Sequence, residues 1–175
     1  GASDCGLCVG AAAYASWLYE KRVEFPVNVA ALGLSYTQQQ VESAFQQAGL
    51  SPMVMESDEQ MIHAVSERLV SGKTLGWHQG RSEFGPRALG FRSMLGDARR
   101  ADIRDHINFK ITNREWWRPL APVVLEEDAS TWFEIDRPSP YMLLSAKVRD
   151  GYREKVPGIV HVDGTSRVQT VNEKQ

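Results

Sequence analysis

Apolar positions in the first part of the chain recur at helical rather than strand spacing. Over residues 10–22, Ala11, Ala12, Ala13 and Ala15 favour a helix, and Tyr14, Trp17 and Leu18 share one face at i, i+3 and i+4. Residues 23–34, with Pro26 and Gly33, show no period and read as a linker. Thr37 has the chemistry of an N-cap, and Val41, Ala44, Phe45 and Ala48 form an inward stripe that stops at Gly49. The apolar run 53–55 predicts a short strand. Ser57 or Asp58 then opens a helix whose stripe is Met61, Ile62, Val65, Leu69 and Val70, with Gly72 at its end.

Further on, shorter apolar runs predict strands over 73–78, 123–126, 141–148 and 159–162. A helix is predicted over 101–110, with Ile103 and Ile107 inward. Residues 161–171 read as strand, turn, strand, with Asp163 and Gly164 at the turn. Helices followed by strands and mixed loops predict an α/β protein, with α+β as the alternative class.

The chain's 175 residues suit a single domain. Its formal net charge of −2 argues against a long polyanion as partner. The distribution matters more. Between Arg81 and Arg118 stand nine basic residues and five acidic ones, a local +4 on an acidic chain. Such a segment suits a small anionic ligand. No run of 18 apolar residues is present, so no membrane span is predicted. No signal peptide is visible, and the expected compartment is the cytoplasm. Cys5 and Cys8 form one isolated C-x-x-C, which reads as small packing residues rather than a metal or redox site.

Three segments carry candidate chemistry. The first is GWHQGRSEFGPRALGFRS, from Gly76 to Ser93. Gly80, Gly85 and Gly90 permit unusual backbone angles, and free N–H groups beside Arg81, Arg87 and Arg92 would make an anion nest. Guanidinium forks match phosphate oxygens in pairs. Glu83 could orient an arginine or face the ligand. The bland alternative is a loop of solvated arginines. The spacing matches neither a Walker A loop nor a dinucleotide fingerprint. The second segment is NFKITNREWWRPLAP, from Asn108 to Pro122, where Arg114 and Arg118 could meet one anion. Trp116 and Trp117 could stack on a base, but the favoured reading places them in the core or at a domain interface. The third is HVDGTSRVQTV, from His161 to Val171, where Thr165 and Arg167 would add donors. His161 reads as a structural histidine rather than a base.

Taken together and in order, these segments resemble the C-terminal region of the O-carbamoyltransferases of the nodulation-protein and antibiotic-tailoring (NodU/CmcH) type. The resemblance implies a YrdC-like twisted mixed sheet with flanking helices over 35–175, incomplete at its C-terminus. Residues 1–22 resemble the last helix of that family's N-terminal actin-like ATPase domain, so the chain is expected to be part of a longer enzyme. The implied reaction uses ATP, with Mg²⁺ carried by the nucleotide, to convert carbamoyl phosphate into carbamoyl adenylate. The N-terminal domain, holding a metal ion, then passes the carbamoyl group to a hydroxyl of a sugar-containing acceptor. By the same resemblance, Arg87, Arg114 and Arg118 are the expected catalytic residues. Gly80, Arg81, Glu83, Gly85, Arg92, Ser93, Thr165 and Arg167 are the expected substrate and nucleotide contacts, and Asp4 is a metal ligand of the intact enzyme. The chain departs from the pattern at Phe91, where many relatives have Asn, and at Thr112, where many have Lys. It also lacks the segment with which the family continues beyond Gln175. Two other classes remain open: a YrdC-like RNA-modification or nucleic-acid-binding module, and a non-catalytic docking domain.

Overall fold

A computed structural model describes residues 4–23 and 30–172, with the side chains of Asp4 and Cys5 left undescribed. Most of the expected linker therefore lies outside the described residues. Three helices come first: α1 (Asp4–Glu20), α2 (Gln38–Gln47) and α3 (Asp58–Val70). Thr37 caps α2 through a reciprocal pair of bonds with Gln40, and Ser57 caps α3 by accepting from the Gln60 N–H. Neither α2 nor α3 contains a buried residue, so the expected inward stripes are at best half-covered, and Ala44 and Ala48 are exposed. On α1 the apolar residues Leu7, Val9, Tyr14, Trp17, Leu18 and Tyr19 all face solvent. The run 53–55 is not a strand. Pro52 lacks a donor for a ladder, and Met53 and Val54 are exposed.

Two small open sheets follow, giving a mixed α/β fold. In the first, β1 (Leu75–His78) pairs antiparallel with β2 (Arg92–Leu95), and His78 lies opposite Arg92. The sequence pattern did not announce β2, which is half-buried and follows directly on the Gly/Arg-rich loop. In the second, β5 (Thr165–Val171) lies between β3 (Val123–Leu125) and β4 (Leu144–Lys147), parallel to the former and antiparallel to the latter. Phe133, Ala146, Val148, Ile159 and Val168 form the core beneath this sheet. The period of two along β5 turns Val168 into that core and Arg167, Gln169 and Val171 toward the opposite face. Buried hydroxyls on β5 are satisfied: Ser166 donates to the Ile159 carbonyl, and Thr170 accepts from the Ser139 N–H.

Residues 101–110 do not form one regular α-helix. A single turn, α4 (Ile103–Asp105), widens into a π-helical segment (His106–Ile111). Thr112 closes that segment, its N–H and its hydroxyl both donating to the Ile107 carbonyl at 3.0 and 2.9 Å. Arg114 N–H then donates to Asn108 O at 2.7 Å, and the Asn108 side-chain amide, fully buried, donates to Arg118 O. The loop bearing Arg114 is thus fixed from beneath. A short four-residue helix, α5 (Ala129–Trp132), leads toward β4.

Residues 159–162 are not a strand either. Pro157–Ile159 is a 3₁₀ turn, in which the Gly158 N–H donates to Ala98 O. A Cβ at Gly158 would lie 2.4 Å from Ile103 Cγ2 and 2.6 Å from Arg100 O. Backbone cannot yield as a side-chain tip can. Gly158→Ala is therefore expected to destabilise the fold by about 2 kcal/mol, read as a shifted urea midpoint at unchanged slope.

Candidate anion-binding site

The connection from β1 to β2 is the Gly/Arg-rich loop, and its geometry is organised by Glu83. Glu83 Oε1 accepts from the N–H groups of Leu89, Phe91 and Arg92 at 2.7, 2.9 and 3.1 Å. Gly90, at φ +100°, lets the three donors converge, a backbone state that L side chains rarely adopt. Burial alone would raise the Glu83 pKa. The backbone bonds outweigh it and hold the carboxyl below its ordinary 4.5. Glu83 Oε1 is thus committed to the loop backbone, and Glu83 makes no ion pair with an arginine among the described residues. It occupies the nest that the sequence suggested for an external anion. Ser93 likewise accepts from the Gly90 N–H.

The arginines divide into two groups. Arg92 donates to the carbonyls of Gln79, Gly80 and Phe91, and Arg81 donates to Gly33 O at 2.6 Å. Arg118 is paired with Glu115, which holds that carboxyl down to about 2. Each of these three has a partner within the chain. Arg87 and Arg114, in contrast, make no side-chain hydrogen bond or ion pair among the described residues. Arg167 Nε is enclosed without a partner. Burial pushes the Arg167 pKa down, and the positive charges of Arg87 and Arg114 push it further. Three uncompensated guanidiniums thus sit within electrostatic reach of one another.

They line one cavity of about 990 Å³. Arg92, Ser93 and Gln169 line it as well, and no Asp or Glu does. Thr112 and Phe91, the two departures from the expected pattern, are also on its wall. Gly80, Arg81, Glu83, Gly85, Arg118 and Thr165 are not on the wall, although Arg81, Glu83 and Gly80 hold the loop that bears Arg87. Thr165 spends its N–H and its hydroxyl on Asp163 Oδ1. Its oxygen consequently accepts from His161 Nδ1, 3.2 Å away. Burial lowers the His161 pKa. Trp116 and Trp117 are not core residues: both are more than half exposed and meet edge to face at 5.9 Å. Gln169 was missed from sequence, though its place two residues beyond Arg167 on a strand puts it on the same face.

Among the described residues no cluster of His, Cys, Asp or Glu could hold a metal ion, and the Asp4 side chain lies outside them. No helix among them is long and apolar enough to cross a membrane. Fold and site together define an α/β domain built around an arginine-lined pocket.

Residues 66–175 match the family model for the carbamoyltransferase C-terminus, and the chain belongs to that family. It is 37% identical to an uncharacterised protein of Synechocystis sp. over 98% of this chain and 32% of that protein. It is 45% identical to nodulation protein NolO of Bradyrhizobium diazoefficiens over 69% of this chain and 22% of the relative. With nodulation protein U of Sinorhizobium fredii the identity is 41%, over 72% and 22% of the two chains. The chain spans about a third or less of the length of these relatives.

Proposed function

We propose that this chain is the part of an O-carbamoyltransferase that binds carbamoyl phosphate and ATP and forms carbamoyl adenylate. In balance, carbamoyl phosphate, ATP and water give carbamoyl adenylate, pyrophosphate and phosphate. The rest of a longer protein then passes the carbamoyl group to a hydroxyl of a sugar-containing acceptor. The observation that carries this reading is the convergence of Arg87, Arg114 and Arg167, unpaired, on a cavity without a carboxylate. Unpaired charges so close together cost stability in the free protein, and a bound anion offsets that cost.

The work asked of these residues is positioning and charge neutralisation. Arg87 and Arg114 approach from loops, Arg167 from the floor on β5, so they can grip phosphate oxygens from different directions. The Glu83 carboxylate and the backbone contacts of Arg92 keep the Arg87 loop in place. No carboxylate of the cavity wall suits Mg²⁺, so the ion would arrive bound to the nucleotide phosphates. The exposed apolar residues of α1 support packing against the remainder of the longer protein.

The test is calorimetric titration of the full-length protein with ATP and Mg²⁺, with and without carbamoyl phosphate. Binding of both ligands is expected, with at least about tenfold weaker affinity in Arg87→Ala. Absence of heat with either ligand would sink the proposal.

A further inference from the structure

Gln169, on the floor of the arginine cavity, offers an acceptor held in a fixed direction. It sits on β5, the central strand, and is 6% exposed. Its amide nitrogen donates to the Leu89 carbonyl at 3.0 Å, across 80 residues of sequence. A carbonyl can only accept, so the nitrogen must be the end that faces Leu89, and the oxygen is the end left over. That oxygen has no partner among the described residues. Nor is it one of the enclosed polar atoms without a partner, which are Thr74 Oγ1, Asn108 Oδ1, His161 Nε2 and Arg167 Nε. It therefore opens on the cavity that the residue lines.

The neighbouring groups are donors: Arg87, Arg114 and Arg167. A fully ionised phosphoryl group satisfies them and has nothing to give Gln169. A ligand that satisfies the whole floor must carry an N–H or O–H donor next to its phosphate. Resting on the proposed function, we infer that Gln169 reads the amide of the carbamoyl group. Its oxygen accepts an N–H of the substrate while the arginines hold the phosphate. Acyl phosphates with a methyl in place of the amide would leave a buried acceptor unpaired, the situation in which binding sites reject an analogue most strongly. Gln169 is thus a specificity residue, and its tether to Leu89 fixes the direction from which the amide must approach.

The experiment measures dissociation constants of carbamoyl phosphate, acetyl phosphate and inorganic phosphate for the full-length protein and for Gln169→Met. The unmodified protein is expected to prefer carbamoyl over acetyl phosphate by about tenfold or more, and Gln169→Met to bring the two within about twofold. Inorganic phosphate is expected to bind both proteins alike. Equal affinity of the unmodified protein for the two acyl phosphates overturns the inference, whatever the variant does. A preference that survives in Gln169→Met overturns it too. So does a parallel loss of all three ligands with the ratio unchanged, since Gln169 would then act only through the loop it tethers. If Gln169→Met fails to fold, Gln169→Leu takes its place in the same comparison. Failure of the proposed function gives a different signature: neither acyl phosphate nor inorganic phosphate binds the unmodified protein.

Discussion

Arg167→Met is expected to weaken binding of carbamoyl phosphate and of inorganic phosphate by about 100-fold, while leaving the unliganded protein at least as stable as before. Both halves come from the same observation. Arg167 is half-buried on β5, its Nε has no partner, and the nearest charges that act on it are two further guanidiniums. In the free protein such a group is a liability, because desolvation and repulsion are not repaid by a carboxylate. Replacing a poorly compensated buried charge with a methionine of similar length is neutral or stabilising, here by about 1 kcal/mol. With an anion in the cavity the sign reverses. The lost charge-assisted hydrogen bonds are worth about 1.5–3 kcal/mol each, and about 2.7 kcal/mol is 100-fold. Calorimetry reads the affinity and urea denaturation reads the stability. A variant that binds phosphate normally, or that loses several kcal/mol of stability, would make Arg167 a structural residue. Arg118→Met is the control. Arg118 is half-exposed and paired with Glu115, so its loss is expected to change phosphate affinity by no more than about twofold.

That contrast separates what could be read in the sequence from what could not. The local excess of arginine and glycine between Arg81 and Arg118 pointed to a small anion, and the arginines without partners do gather at one cavity. Which arginines those are depends on contacts far apart along the chain. Arg81 reaches back to Gly33, a partner 48 residues away that no local pattern marks. Arg118 could have been demoted from the sequence alone, since Glu115 stands three residues earlier at pairing distance. Caps and helix ends were legible because their chemistry is local, as Thr37, Ser57 and Gly72 show. The short apolar runs were not. Residues 53–55 and 159–162 carry the composition of strands, yet neither finds a neighbouring edge. Gly158 is instead wedged against Ile103 and the backbone of Ala98 and Arg100. Residues 92–95, which looked like loop, find one in β1. Strand formation is decided by the partner, and period alone does not supply it.

Glu83 shows the same limit from the opposite side, and its removal is the second large effect expected. A lone acid among arginines reads as an ion-pair partner. In the fold it is the internal anion of a backbone nest, and its charge is spent on N–H groups. Glu83→Ala leaves the N–H groups of Leu89, Phe91 and Arg92 without their acceptor in a half-buried loop, at a cost of about 3 kcal/mol. All three bonds end on one oxygen, which a glutamine can supply. Glu83→Gln is therefore expected to keep the loop and lose only the charge assistance, about 1 kcal/mol. The pH dependence follows from the lowered folded pKa. The unfolded chain takes up the proton first, so the stabilisation by Glu83 is complete above about pH 4.5 and is lost as pH falls through the folded value. Urea melts from pH 7 downward should show an acid-side slope in the unmodified protein that is shallower in Glu83→Gln. The Arg87 loop is anchored by this carboxylate, so Glu83→Ala should also weaken phosphate binding, whereas Glu83→Gln should not. If both variants lose stability and phosphate affinity alike, the charge and not the acceptor geometry holds the loop; if phosphate binding is unchanged in both, Glu83 has no part in positioning Arg87.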